Sequence, residues 1–280
     1  MDDEISYWLE MAEVRVNEVV YRVAAEQPGN PAGAEVMHVG GGVATALTAI
    51  DVGFFNRTIG LGIERPVTVE DLDAVVAFYE GLARTTAVVQ LAPHARPTDA
   101  PGLLMGRGFA KGRRWAKMWR PVDEPAQAET SLRIEPLIAP AQRADFERIT
   151  ASAFEFPAMI ASAASAVIGR PGWTHYLGYD GDEAVTAAAM YVVDRVAWFG
   201  YGSTLEAFRG RGGQSAMFAV RLRHAAELGC RYALTETGED SHEEPNPSYR
   251  NMKRMGFRDG YLRQNWIWAA TTPLGDIRPR

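Results

Sequence analysis

The chain has 280 residues, 47% hydrophobic and 23% charged, enough for one large or two modest globular domains. Its net charge of −6 argues against a general nucleic-acid or membrane-surface binder and suits an amine substrate. Its one cysteine, Cys230, excludes an internal disulfide and fits a reducing compartment, so a cytoplasmic location is expected.

The start, Met1-Asp2-Asp3-Glu4, lacks the basic residues of a secretory signal. A helix is expected over 5–25 and a glycine-rich strand over 36–49, as scaffold and as a wall for the acceptor site. Thr68 followed by Asp71 reads as a helix cap, with the helix over 72–82. A strand over 87–91 follows, then Gly106 to Gly112 and strand material carrying Trp115 and Trp119. The proline-rich, polar stretch 121–130 is the expected linker. Beyond it, a strand is expected over 132–137, a helix over 141–153, and a second helical stretch over 154–168 broken at Pro157. Strands over 176–179 and 184–193 turn at Gly181-Asp182, and another runs over 196–204. After the turn Phe208-Arg209-Gly210-Arg211-Gly212-Gly213-Gln214 comes a helix over 215–228. Its apolar residues fall at 218, 222, 225 and 228, and charged ones at 221, 223 and 227. A strand over 232–237, a helix over 247–255, Gly256-Phe257 and an aromatic strand to Trp268 complete the order. No apolar run reaches the roughly 18 residues of a membrane span. The five histidines lack metal-ligand spacing, so no metal is expected, and His175 and His224 read as structural.

The order repeats. Gly106-Arg107-Gly108-Phe109 resembles Arg254-Met255-Gly256-Phe257, 87–91 parallels 232–236, and 54–62 parallels 198–205. The offset is about 145 to 148 residues, which reads as two similar halves in tandem.

The turn over 208–214 has the chemistry of a phosphate site. Glycines admit a close approach, a helix start offers unpaired N–H groups and partial positive charge, and two arginines add full charge. It is neither a dinucleotide fingerprint nor a P-loop. An Arg-x-x-Gly turn between strand and helix resembles the pyrophosphate loop of the GNAT N-acetyltransferase superfamily. The resemblance implies an α/β fold of the α+β type: two tandem GNAT-like domains, each a mixed, mostly antiparallel sheet flanked by helices. Residues 1–122 would be a degenerate domain without a cofactor loop, since Glu70 and Asp71 stand at its helix start. Residues 130–280 would bind acetyl-CoA as co-substrate.

Carried over residue by residue, the resemblance assigns the pantetheine arm to Thr204 and the oxyanion N–H to the region of Thr204 and Leu205. It assigns the pyrophosphate to Arg209, Gly210, Arg211, Gly212, Gly213 and Gln214, although the family has Gly or Ala at the last position. Asn246 and Ser248 are expected to touch the CoA arm. The family's usual tyrosine acid is Met252 here, so Tyr249, one helical turn away, is the candidate acid. Glu236, on the strand after the loop helix, is the candidate base, with Glu206 behind it. The implied activity is transfer of acetyl from acetyl-CoA to a primary amine of a small molecule or peptide, by a monomer or homodimer acting without nucleic acid or membrane. The alternative is a non-catalytic acetyl-CoA-binding sensor or interaction protein.

Overall fold

The computed structural model describes residues 3–124 and 126–270. The acidic Met1-Asp2 start, Pro125 of the expected linker, and 271–280 of the second half lie outside the described residues. The first half runs α1 (Asp3–Ala25), β1 (Ala34–Val39), β2 (Gly42–Leu47), β3 (Arg57–Ile59), α2 (Val69–Gly81), β4 (Thr86–Leu91), α3 (Ala100–Met105) and β5 (Ala110–Pro121). The second runs β6 (Arg133–Pro136), α4 (Gln142–Phe154), α5 (Ala158–Ser165), β7 (Trp173–Asp180), β8 (Glu183–Val193), β9 (Val196–Thr204), α6 (Gly213–Glu227), β10 (Tyr232–Gly238), α7 (Pro247–Arg254) and β11 (Arg258–Ala269).

Three elements differ from expectation. The strand expected over 36–49 is a hairpin, because Gly40 and Gly41 take φ of 61° and 80° and turn the chain. The second helical stretch begins only at Ala158. Glu155, left-handed at φ 56°, ends α4, and the helix N-cap is then Pro157. Arg221, one of the charged positions counted against the apolar stripe of α6, is buried. Its guanidinium lies over Phe199 and Phe218 and donates to the Ala189 carbonyl at 3.0 Å, while Leu228 at the helix end is exposed.

The eleven strands of the described residues form one sheet, in the order β1-β2-β3-β4-β11-β5-β10-β9-β8-β7-β6. The halves therefore do not keep separate sheets; they exchange their last strands. β11, from the second half, lies antiparallel between β4 and β5, and β5, from the first half, lies antiparallel between β11 and β10. Across this seam Gln90 pairs in register with Asn265 and Glu236 with Lys117, so each pair joins the two halves.

Helices cover both faces. The run Ala184 to Met190 is buried throughout because Ala187 packs with α4 residues on one side and Ala188 with α6 residues on the other. On the α4 side, α1 crosses the seam and places Leu9, Val16 and Val20 against Trp198 and Leu234.

Candidate active site

β9 and β10 pair in parallel only from Val196–Tyr232 to Trp198–Leu234. β9 then continues to Thr204 and β10 to Gly238 without pairing, so the sheet opens as a V. A bulge accounts for the parting. Between the Ala187–Ser203 and Ala189–Gly200 pairs, β9 carries one extra residue, with Tyr201 at φ 54°. The Leu205 N–H is bonded to the Val185 carbonyl at 3.0 Å, so it is not offered to the V as expected. Strand alternation turns the Thr204 N–H the other way, into the opening.

At the foot of the V lies a groove of about 650 Å³, lined by Thr204, Phe208, Arg209, Gly210, Gly212, Gly213, Gln214 and Ser248. Gly212 precedes α6 with φ 77°, and a Cβ there would lie 2.2 Å from the Glu129 carbonyl oxygen. No side chain caps α6, so its first N–H groups open onto the groove. The two loop arginines differ. Arg211 pairs with Asp180 at 2.6 Å and lies over Phe208, bracing the turn. Arg209 lines the groove with no acidic partner among the described residues. So does Arg254, which sequence reasoning did not assign to the site.

The second expected segment divides in the same way. Ser248 lines the groove and accepts from Gln214 Nε2 at 3.2 Å. Gln214 Oε1 takes the Asn251 amide at 2.8 Å, and Ser215 donates to Asn251 Oδ1 at 2.9 Å. Gln214 thus ties α6 to α7, a role the family's Gly or Ala could not fill. Asn246 caps α7, accepting from the Ser248 and Tyr249 N–H groups, and donates to Thr237 and Gly238 on β10. It positions Ser248 instead of lining the groove. The Tyr249 hydroxyl donates to Asp259 at 2.7 Å, and burial with that carboxylate pushes its pKa up to about 12. The structure does not bring Tyr249 to the groove. Glu206 is exposed.

Glu236 sits past the last β9–β10 pair, on the face covered by α1. Its Oε2 meets Arg263 at 2.5 Å and Lys117 at 3.2 Å, while Oε1 stands 3.9 Å from Arg57. From α1, Glu13 reaches the same cations at 2.6 Å (Lys117) and 2.7 Å (Arg263), and Glu10 adds a carboxylate 3.3 Å from Arg263. Three cations thus face three carboxylates in a buried layer at the seam. Burial, then the charge of Glu13, raises the Glu236 pKa above the ordinary glutamate range, against the pull of Lys117 and Arg263. Burial would raise Glu13 too, but Arg263, Lys117 and Arg57 outweigh it and hold Glu13 well below that range. The signal for this layer was in α1. Glu13 and Asn17 lie on the same helical stripe as the apolar Leu9, Val16 and Val20, a face that packs inward.

The first half is built differently at the equivalent helix start. Thr68 and Asp71 form the expected capping box on α2. The Asp71 carboxylate accepts from the Thr68 N–H at 2.9 Å and from Arg65 at 2.6 and 2.7 Å, which holds it below the usual aspartate range. A fixed negative group stands where the second half presents open N–H groups.

Two of the comparisons with known proteins, against family models and against curated sequences, gave no match. Solved structures do resemble the chain. A GCN5-related N-acetyltransferase from Kribbella flavida superposes with a TM-score of 0.60 at 17% identity, over 89% of this chain and 95% of that one. One from Sphaerobacter thermophilus gives 0.58 at 14%, over 81% and 80%. A tandem GNAT protein from the clavulanic acid biosynthesis pathway gives 0.56 at 18%, over 97% of both chains. The chain has the tandem GNAT fold.

Proposed function

We propose that this chain is an acetyltransferase that moves acetyl from acetyl-CoA to a primary amine of a small molecule or peptide. The observation that carries this reading is the uncapped start of α6, opening beside Arg209 and Arg254 at the foot of the V. Unpaired N–H groups, a helix dipole and two cations suit a pyrophosphate. The groove residues fit the group: Arg209, Gly210, Gly212, Gly213 and Gln214 would hold the phosphates, and Thr204 and Ser248 the arm above them. The bound co-substrate supplies an activated acetyl group as a thioester.

The chain's own residues do the rest. The Thr204 N–H is a donor for the carbonyl oxygen as charge develops on it. The V holds the amine against the carbonyl, and the C–N bond forms as the C–S bond breaks. Glu236, reached through Oε1 directly or by one water, takes the proton from the amine, and its raised pKa suits that work. The leaving sulfur takes a proton from water and Glu236 returns the amine's proton to solvent, so the step closes without Tyr249, whose hydroxyl is bound to Asp259.

The test is calorimetry with acetyl-CoA, followed by release of free thiol with an amine library. Micromolar binding with turnover supports the reading. Binding without turnover across the library would favour a sensor, and absence of binding would end both.

A further inference from the structure

A second cavity, of about 360 Å³, opens on the α1 side of the seam. It lies next to the reaction centre: Gly238, two residues beyond Glu236, forms part of its wall, and Arg57 lines it while standing 3.9 Å from Glu236 Oε1. A run of aromatic contacts joins it to the cofactor groove. Phe154, on the groove wall, stacks on Phe156; Phe156 meets Phe55, Phe55 meets Phe54, and Phe54 stacks on Trp115 at 5.5 Å inside the cavity.

The cavity's polar groups are unevenly matched. Arg57 gives Nη2 to Asn17 at 2.8 Å and Nη1 to Gln90 at 3.5 Å, with Glu13 Oε1 3.4 Å from Nη1, and its Nε is buried with no hydrogen-bond partner. A buried guanidinium N–H left unpaired is costly, so this side chain is not fully satisfied by the protein alone. Asn265 beside it uses Oδ1 to accept from Gln90 at 2.9 Å, and its amide N–H groups have no partner among the described residues. Arg57 and the open Asn265 amide therefore line one cavity together, within walls of Phe54 and Trp115. Both strands carrying Asn265 and Trp115 are the exchanged ones, so the cavity exists only because the halves interlock.

We infer that this cavity holds the acceptor, and that the acceptor is a small amino acid-like molecule whose carboxylate binds Arg57 and Asn265 while its amine faces Glu236. Arg57 and Glu236 are neighbours, so the ligand's amine and carboxylate are close together on one short skeleton. The aromatic walls hold its carbons. A volume of about 360 Å³ sits at the small end of ordinary ligand pockets, so long peptides are disfavoured. This inference rests on the acetyl-transfer reading for its chemistry, but the cavity can be tested without it.

The test uses the full chain. The common α-amino acids, with their amides and decarboxylated amines, are titrated by calorimetry and by Trp fluorescence, with and without acetyl-CoA, and then assayed for thiol release. At least one amino acid is expected to bind at least tenfold better than its amide and its amine, as loss of a charged hydrogen-bond partner implies. In Asn265→Asp, nearly isosteric, the added negative charge is expected to abolish that preference and leave acetyl-CoA affinity unchanged. Arg57→Gln should raise KM for the acid at least tenfold and leave KM for the amide near its original value; Asn265→Asp decides alone if that variant does not fold. Equal binding of acid and amide, or no binding of any amino acid at millimolar concentration, would overturn the inference. Failure of acetyl-CoA to bind would instead overturn the acetyl-transfer reading, and amino acid binding would still judge the cavity.

Discussion

Arg263 grips Glu236 at 2.5 Å with a side chain that is 0% exposed, and Lys117, from the other half, reaches the same carboxylate oxygen at 3.2 Å. Each half supplies one cation to one carboxylate at the seam. Glu236 is thereby fixed in place with Oε1 as its available oxygen, which is the preorganisation that the proposed role as base needs.

Replacing Glu236 by Gln is expected to lower turnover about 10²–10⁴-fold and to leave acetyl-CoA affinity within about twofold, since the phosphates bind elsewhere. The pH profile adds a check that a structural role would not meet. A base must be ionised to act, so kcat/KM of the native enzyme should fall as pH drops through the raised Glu236 pKa, above the usual glutamate range. That acidic limb should be absent in the variant. A loss below about threefold, well short of the range for general base catalysis, would move the role elsewhere.

Arg263→Met should act through stability. It leaves three carboxylates facing two cations in a buried layer, a change worth about 3–5 kcal/mol when one partner of a buried pair is removed. Urea unfolding of the variant measures this directly, and a cost under about 1 kcal/mol, the scale of exposed pairs, would show that water reaches the layer.

Gly212→Val should weaken acetyl-CoA binding at least about tenfold, a loss of about 1.4 kcal/mol or more. Two physical causes combine. The backbone at φ 77° disfavours any side chain, and the new Cβ would lie 2.2 Å from the Glu129 carbonyl, so the loop must move. Calorimetry on the folded variant checks it; unchanged affinity would mean that the loop does not hold the phosphates.

One acetyl-CoA is expected per chain. The Asp71 carboxylate already occupies the start of α2, locked by Arg65 and the Thr68 N–H, and a phosphate there would face like charge. Titration of the intact chain reads the stoichiometry, and a value of two would show that the first half binds as well.

His175 gives a stability test. Burial, with Arg143 adding to it, pushes its pKa down to about 3 from 6.5. Its folded-state pKa is depressed, so the contribution is present above the unfolded value and lost as pH falls from 6.5 toward about 3. Between pH 6.5 and 5 the native chain should lose about 2 kcal/mol from this group, at roughly 1.4 kcal/mol per unit. His175→Phe should lose less over the same interval, by denaturant unfolding at both pH values. Equal slopes would show that His175 is protonated in the fold.

The elements of the second half were legible because local rules suffice for them. The strand over 196–204, the helix over 247–255 and the Gly-rich turn follow from periodicity and from backbone chemistry that only nearby residues decide. Asn246 was found as a residue but not as a role, since its amide reaches Thr237 and Gly238, a tertiary contact. Tyr249 was misplaced for a related reason. Helical spacing puts it near Met252, but its partner Asp259 lies on β11, across a glycine turn. Arg221 counts as a polar position in the helical pattern, but two aromatic faces and the Ala189 carbonyl hold it in the interior, a tertiary environment the pattern does not carry. The exchange of β5 and β11 left no local trace, because both strands alternate equally well beside either neighbour.

That exchange has a consequence for synthesis. As the chain leaves the ribosome, β4 and β5 are complete long before β11 exists, and β11 belongs between them. The β4 and β5 edges that face this gap stay bare until β11 is made, and such edges are templates for pairing between molecules. The nascent first half therefore waits, exposed, from the completion of β5 at Pro121 until β11 begins at Arg258. Residues 1–122 made alone should aggregate, and co-expression with 130–280 as a separate piece should rescue both into one soluble complex.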